Sequence, residues 1–201
     1  MHRLPLILLA ALLLSFGLAQ RSAVLSGVID SEDPLPEGTR LGVQVLDADD
    51  AWSYEVASVV PIGGSFRLEL GEVPDERLRD FRSGGVLLPG LQNEYRVEPD
   101  GVRFAQGSLA MYLDADTDGL WTREPERDPY FLALAQLERP IGFFSLLYVD
   151  QAATLAGAGV ELRLEPGWNV YSVRFPESGP DYRVAAVVED VALEVLDLMP
   201  R

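Results

Sequence analysis

The chain has no cysteine and no lysine, and its single histidine stands at position 2. Each absence removes a class of chemistry. Without cysteine there is no disulfide, no thiolate nucleophile and no thiolate zinc site. Without lysine there is no Schiff-base amine and no Ser-Lys pair. A histidine confined to the extreme N-terminus, in a segment read below as removed, leaves no Ser-His-Asp triad. Positive charge is scarce as well: all 16 basic residues are arginine, against 32 acids, for a net charge of −16. Such a surface repels nucleic-acid phosphates and anionic membranes, so nucleic acid is not an expected partner. What survives is hard-oxygen chemistry, meaning calcium or magnesium binding and carboxylate-pair hydrolysis. With 201 residues, 48% of them hydrophobic, the chain can bury a core that needs no cross-links.

Met1-His2-Arg3 is a short positive segment, Leu4 to Leu14 is nearly unbroken apolar sequence, and Gly17 and Ala19 are the small residues of a cleavage site. This three-part pattern predicts a secretory signal over residues 1–19. The alternative, an uncleaved anchor, requires a longer stretch than this one, which also carries Pro5. Cleavage takes Arg3 away and leaves 32 acids against 15 arginines, a net charge of −17. The expected product is secreted or periplasmic, with no integral membrane segment after cleavage.

The remainder reads as strands. Leu41, Val43 and Val45 alternate onto one face, and Phe66, Leu68 and Leu70 point inward between Arg67 and Glu69. Further strands are expected at 24–29, 54–60, 109–113, 130–137, 141–149, 160–164, 169–175, 182–188 and 191–196. Pro61-Ile62-Gly63-Gly64 and Pro166-Gly167 read as turns. Over Pro74 to Arg82 the period changes: Pro74 suits a first helical position, Asp75 and Glu76 suit its positive end, and Leu78 and Phe81 lie three apart. One short helix is expected there. The fold class is therefore all-β, an antiparallel β-sandwich, either one large or two small in tandem. A two-unit division places a β-sandwich module at 20–92 and a β-rich domain carrying an acidic loop at 93–201.

Three stretches, Ser26-Gly27-Val28-Ile29, Leu41 to Val45 and Gly64-Ser65-Phe66-Arg67-Leu68, make the segment from Val24 to Leu70 resemble transthyretin-like or carboxypeptidase-regulatory-like sandwich modules. The resemblance covers about a quarter of the chain and implies a stabilising or adhesive role in an exported protein, with no catalytic residue carried over. Gly167-Trp168-Asn169, taken with the acidic loop, is similar to segments of exported bacterial proteins and implies no activity.

One motif carries chemistry. Asp114-Ala115-Asp116-Thr117-Asp118-Gly119-Leu120 has the form D-x-D-x-D-G. A loop curling around a hard cation can aim oxygens from its first, third and fifth positions at one centre, while glycine at the sixth permits the turn and the seventh, Leu120, offers its carbonyl. This resembles the first half of an EF-hand-type or dockerin-type calcium loop. It departs at the twelfth position, where those loops place a bidentate glutamate and this chain has Pro125. Glu124, Glu126 and Asp128 lie close by and one could substitute, Glu124 and Glu126 foremost, though not in the EF-hand register. The expected ligands are thus Asp114, Asp116, Asp118, Leu120, Glu124 and Glu126, and the expected ion is calcium. A plain acidic turn is the competing explanation, because Asp favours Asx-turns.

The function expected from these features is a non-catalytic exported module, stabilised by calcium, that binds a protein or polysaccharide in the envelope or outside the cell. The alternatives are a carbohydrate-binding module that stacks sugars on Trp52, Trp121 and Trp168, and a carboxylate glycoside hydrolase drawing on Glu124, Glu126 and Asp128.

Overall fold

The structure is a computed structural model that describes residues 23–31, 33–46, 52–82, 95–122, 129–137, 142–157, 159–185 and 187–197. The expected signal segment, residues 1–19, lies outside them. Among the described residues fourteen strands run in chain order as β1 (Ala23–Asp30), β2 (Thr39–Leu46), β3 (Trp52–Val59), β4 (Ser65–Leu70), β5 (Arg79–Asp80), β6 (Tyr95–Glu98) and β7 (Arg103–Leu113), then β8 (Tyr130–Leu137), β9 (Gly142–Val149), β10 (Ala153–Gly157), β11 (Val160–Leu164), β12 (Gly167–Arg174), β13 (Asp181–Ala185) and β14 (Val187–Asp197). The protein is all-β, as its alternation predicts. β4 shows the rule cleanly: Phe66, Leu68 and Leu70 are buried and the residues between them exposed.

The strands form an 11-stranded sheet and a separate three-stranded sheet, β11-β10-β6. The large sheet turns back on itself through β8. Tyr130 and Phe131 pair with Tyr112 and Met111 of β7, whereas Leu132 to Leu137 pair with β14. One layer thus contains β2, β7, β9 and β12 and the other β14, β1 and β4. Among the described strands pairing is antiparallel except between β1 and β14, which run parallel.

Two apolar clusters follow from this layering. The first joins Leu25, Phe66, Leu68 and Leu193 to Leu41, Val43, Leu146 and Trp168. The second joins Tyr95, Leu155 and Leu162 of the small sheet to Leu147, Val149, Tyr171 and Val173. Successive residues of β9 and β12 therefore serve opposite cores, and β12 is buried from Gly167 through Tyr171. The boundary drawn between 92 and 93 runs through this arrangement rather than between two cores. β2 pairs with β7 and β1 with β14 across it, and the first cluster draws on both sides.

The helix expected over Pro74 to Arg82 is corrected to a single 3-10 turn, Asp75–Arg77. Leu78 is already extended (φ −86°, ψ 140°), and Arg79 and Asp80 pair with Phe104 and Arg103 of β7. The three-residue spacing of Leu78 and Phe81 is met by this turn and strand. Phe81 reaches the second core and stacks on Phe104 with ring centroids 4.5 Å apart. Among the described residues no helix is long and apolar enough to cross a membrane.

Candidate metal centre

The acidic loop begins where β7 ends. Its base is clamped from two sides: Leu113 donates its N–H to the Pro129 carbonyl (2.8 Å), and Asp114 donates its own to the Gly38 carbonyl (3.1 Å). Gly38 sits in the turn before β2 with φ +85°, a left-handed backbone that favours glycine, and a Cβ there would only touch the Asp114 carbonyl at 3.4 Å. The loop then tightens on itself. Asp114 Oδ2 accepts the Gly119 N–H at 3.0 Å, closing a ring from the first position of the motif to the sixth. Asp118 Oδ1 accepts the Leu120 N–H at 2.8 Å, and Asp116 Oδ1 accepts the Asp118 N–H at 3.4 Å. Two residues take left-handed backbone, Gly119 at φ +80° and Thr117 at φ +60°. Glycine accepts this conformation without cost; a β-branched threonine does not.

The curl gathers the aspartates. One carboxylate oxygen from each of Asp114, Asp116 and Asp118 lies within 4.8 Å of the other two. Oxygens bound to one calcium at 2.3–2.6 Å cannot be more than about 5 Å apart, so all three can reach a common ion. Asp116 and Asp118 are exposed, whereas Asp114 is buried at 6% exposure. Its Oδ1 is also buried, and no hydrogen-bond donor among the described residues reaches it. Burying a carboxylate oxygen without a donor or cation is costly, so the donor set suits a hard divalent ion. Leu120 is 62% exposed just past the turn, where its carbonyl is the expected seventh-position ligand. Glu124 and Glu126 lie outside the described residues.

A basic side chain that the motif does not contain completes the surroundings. Arg40 of β2 places Nη1 3.7 Å from Asp114 Oδ2, and its Nε and Nη2 donate to Ser58 Oγ at 3.2 and 3.0 Å. Beyond it, Tyr112 donates its hydroxyl to Glu55 Oε2, as does the Gln44 amide, both at 2.8 Å. Burial, with the Glu55 carboxylate adding to it, pushes the Tyr112 phenol well above its ordinary value, so it stays a neutral donor. Glu55 lies across Gly42, where a Cβ would come within 2.6 Å of its carboxylate. Arg40 is far from the loop in sequence and arrives by sheet pairing, so no local spacing announces it. Its one signal is position, an arginine on the polar face of an alternating strand.

Trp168 is 1% exposed. Its indole N–H donates to the Gly71 carbonyl at 2.6 Å, and its ring meets Tyr148 edge-on with centroids 5.5 Å apart. It is a core residue and cannot stack on a sugar. Asn169 beside it ties down the β11–β12 turn, its Oδ1 accepting the Glu165 N–H at 3.0 Å. The ring of Trp52 lies outside the described side chains.

The fold and the loop together define an all-β protein with a clamped, carboxylate-rich loop at one sheet end. Comparison with protein-family models, with curated proteins and with solved structures returned no match.

Proposed function

We propose that the protein is an exported, non-catalytic β-sandwich module whose Asp114–Trp121 loop is fixed by calcium, and that it acts by binding or bracing a protein or polysaccharide of the envelope or extracellular space. The observation that carries the ion assignment is the buried Oδ1 of Asp114, which has no donor among the described residues. Backbone N–H groups serve one oxygen of each aspartate, as in Asx-turns, but leave this buried one without a donor. Calcium would be held by Asp114, Asp116 and Asp118 and the Leu120 carbonyl, with Glu124 and Glu126 as further donors. Its contribution is charge neutralisation and order: three like charges packed in a bend repel one another until a cation binds. Millimolar extracellular calcium saturates even a site with a Kd of about 10⁻⁴ M.

The exported, bracing role is supported by the signal-like N-terminus, by the missing catalytic residue types and by what the resemblance over Val24 to Leu70 implies. Burial of Trp168 argues against a three-tryptophan sugar platform. Calorimetric titration of calcium into chelator-stripped protein tests the ion assignment, with a melting curve in parallel. Binding with a rise in Tm is expected; no heat and no rise refute it.

A further inference from the structure

The loop motif does not account for Arg40. Its guanidinium is no loose surface group: the side chain is 21% exposed, and two of its nitrogens are anchored on Ser58 while the third faces Asp114 Oδ2. Leaving that position would forfeit the Ser58 contacts, so Arg40 is a fixed positive charge at the edge of the carboxylate cluster. Among the described side chains, three aspartates and this arginine carry a net charge of −2, which a divalent ion neutralises.

We infer that Arg40 is the specificity-determining residue of the loop, a built-in countercharge that weakens every cation in proportion to its charge and so favours divalent over trivalent ions. The inference rests on the reading of the loop as a cation site, which the unpartnered buried Oδ1 of Asp114 supports independently of Arg40. The physical basis is Coulombic. A fixed unit charge repels a trivalent ion half again as strongly as a divalent one at the same place. At about 6 Å in a water-like dielectric, its removal is worth about tenfold in affinity for a divalent ion and about thirtyfold for a trivalent one.

The test is titration of calcium and of terbium into the chelator-stripped native protein and into Arg40→Gln, Arg40→Met and Arg40→Lys. Heat gives the affinities, and terbium emission excited through Trp121, next to the loop, gives a second readout. Arg40→Gln and Arg40→Met are expected to bind calcium about tenfold and terbium about thirtyfold more tightly than native, whereas Arg40→Lys, which keeps the charge, stays within about threefold of native for both. Arg40→Met keeps the apolar stem, so one neutral variant serves if the other does not fold. Equal affinity in native and neutral variants overturns the inference and leaves the cation reading standing. An equal gain in Arg40→Lys also overturns it, because the role would then be shape rather than charge. If neither ion binds any variant, the cation reading itself fails and the inference falls with it.

Discussion

The two ends of β7 solve the same problem in opposite ways. At its start, Asp150 is served entirely by the chain. Its Oδ1 accepts the Arg103 backbone N–H at 2.9 Å, its Oδ2 accepts Arg103 Nε at 2.8 Å, and its own N–H donates to the Arg103 carbonyl at 3.1 Å. Arg103 reaches on to Asp75 at 3.2 Å, and the hydrogen bond to Asp150 foremost raises its already high pKa. At the far end, Asp114 is more deeply buried yet served on one oxygen only, with its arginine at 3.7 Å rather than 2.8 Å. A carboxylate closed off by its own protein is structural. One left open, with two more aspartates turned toward it, is where we propose that a cation from outside completes the fold.

The contrast is broken or sharpened most strongly at Asp114. Asp114→Asn keeps an acceptor for the Gly119 N–H and removes the charge, so calcium affinity is expected to fall about 100-fold or more, read by calorimetry. In chelator the same variant should melt within about 2 °C of native, since it also relieves repulsion inside the loop. Asp150→Ala should behave the other way round. It leaves the Arg103 backbone N–H and guanidinium without their acceptor and lowers Tm by about 5 °C, by the same amount in calcium and in chelator. A calcium-dependent loss at Asp150, or a calcium-independent one at Asp114, would erase the distinction between the two ends.

Gly119→Ala probes the backbone rather than the charge. A Cβ there meets nothing nearer than Arg40 at 3.9 Å, so the cost is the left-handed φ of +80° alone, about 1 kcal/mol in chelator by denaturant unfolding. A larger part of the effect should appear in calcium, because the Gly119 N–H closes the ring onto Asp114 Oδ2.

Much of this was legible in the sequence, and the exceptions have physical reasons. β4 and β11 lie where alternation places them, since their charged residues face water and their apolar ones the core. β10, Ala153–Gly157, has little strand propensity of its own; pairing on both edges with β11 and β6 imposes the conformation. β6 lies in a stretch, 86–100, whose composition reads as a connector, yet Tyr95 and Val97 are buried in the second core. Between Arg103 and Ser108, the first half of β7 escapes the period-two reading because Phe104 and Ala105 face different cores. Of the candidate site, the three aspartates and Gly119 were legible because a loop motif is local. Arg40 and the Gly38 clamp were not, because both are brought in by the β2–β7 pairing.

Thr117 carries the smallest and most specific prediction. Its φ of +60° is disfavoured for a β-branched residue, and it lies between Asp116 and Asp118, two of the three gathered aspartates. Asparagine tolerates this region far better, so Thr117→Asn should stabilise the protein by about 0.5 kcal/mol in chelator. If the strain is maintained by the curl that gathers the carboxylates, relieving it also preorganises the loop, and calcium should bind about twofold tighter. A variant that stabilises the chain without tightening calcium would separate the turn from the site. Thr117 would then belong with Asp150 among features the chain keeps for its own structure, and Asp114 alone would mark the open end of β7.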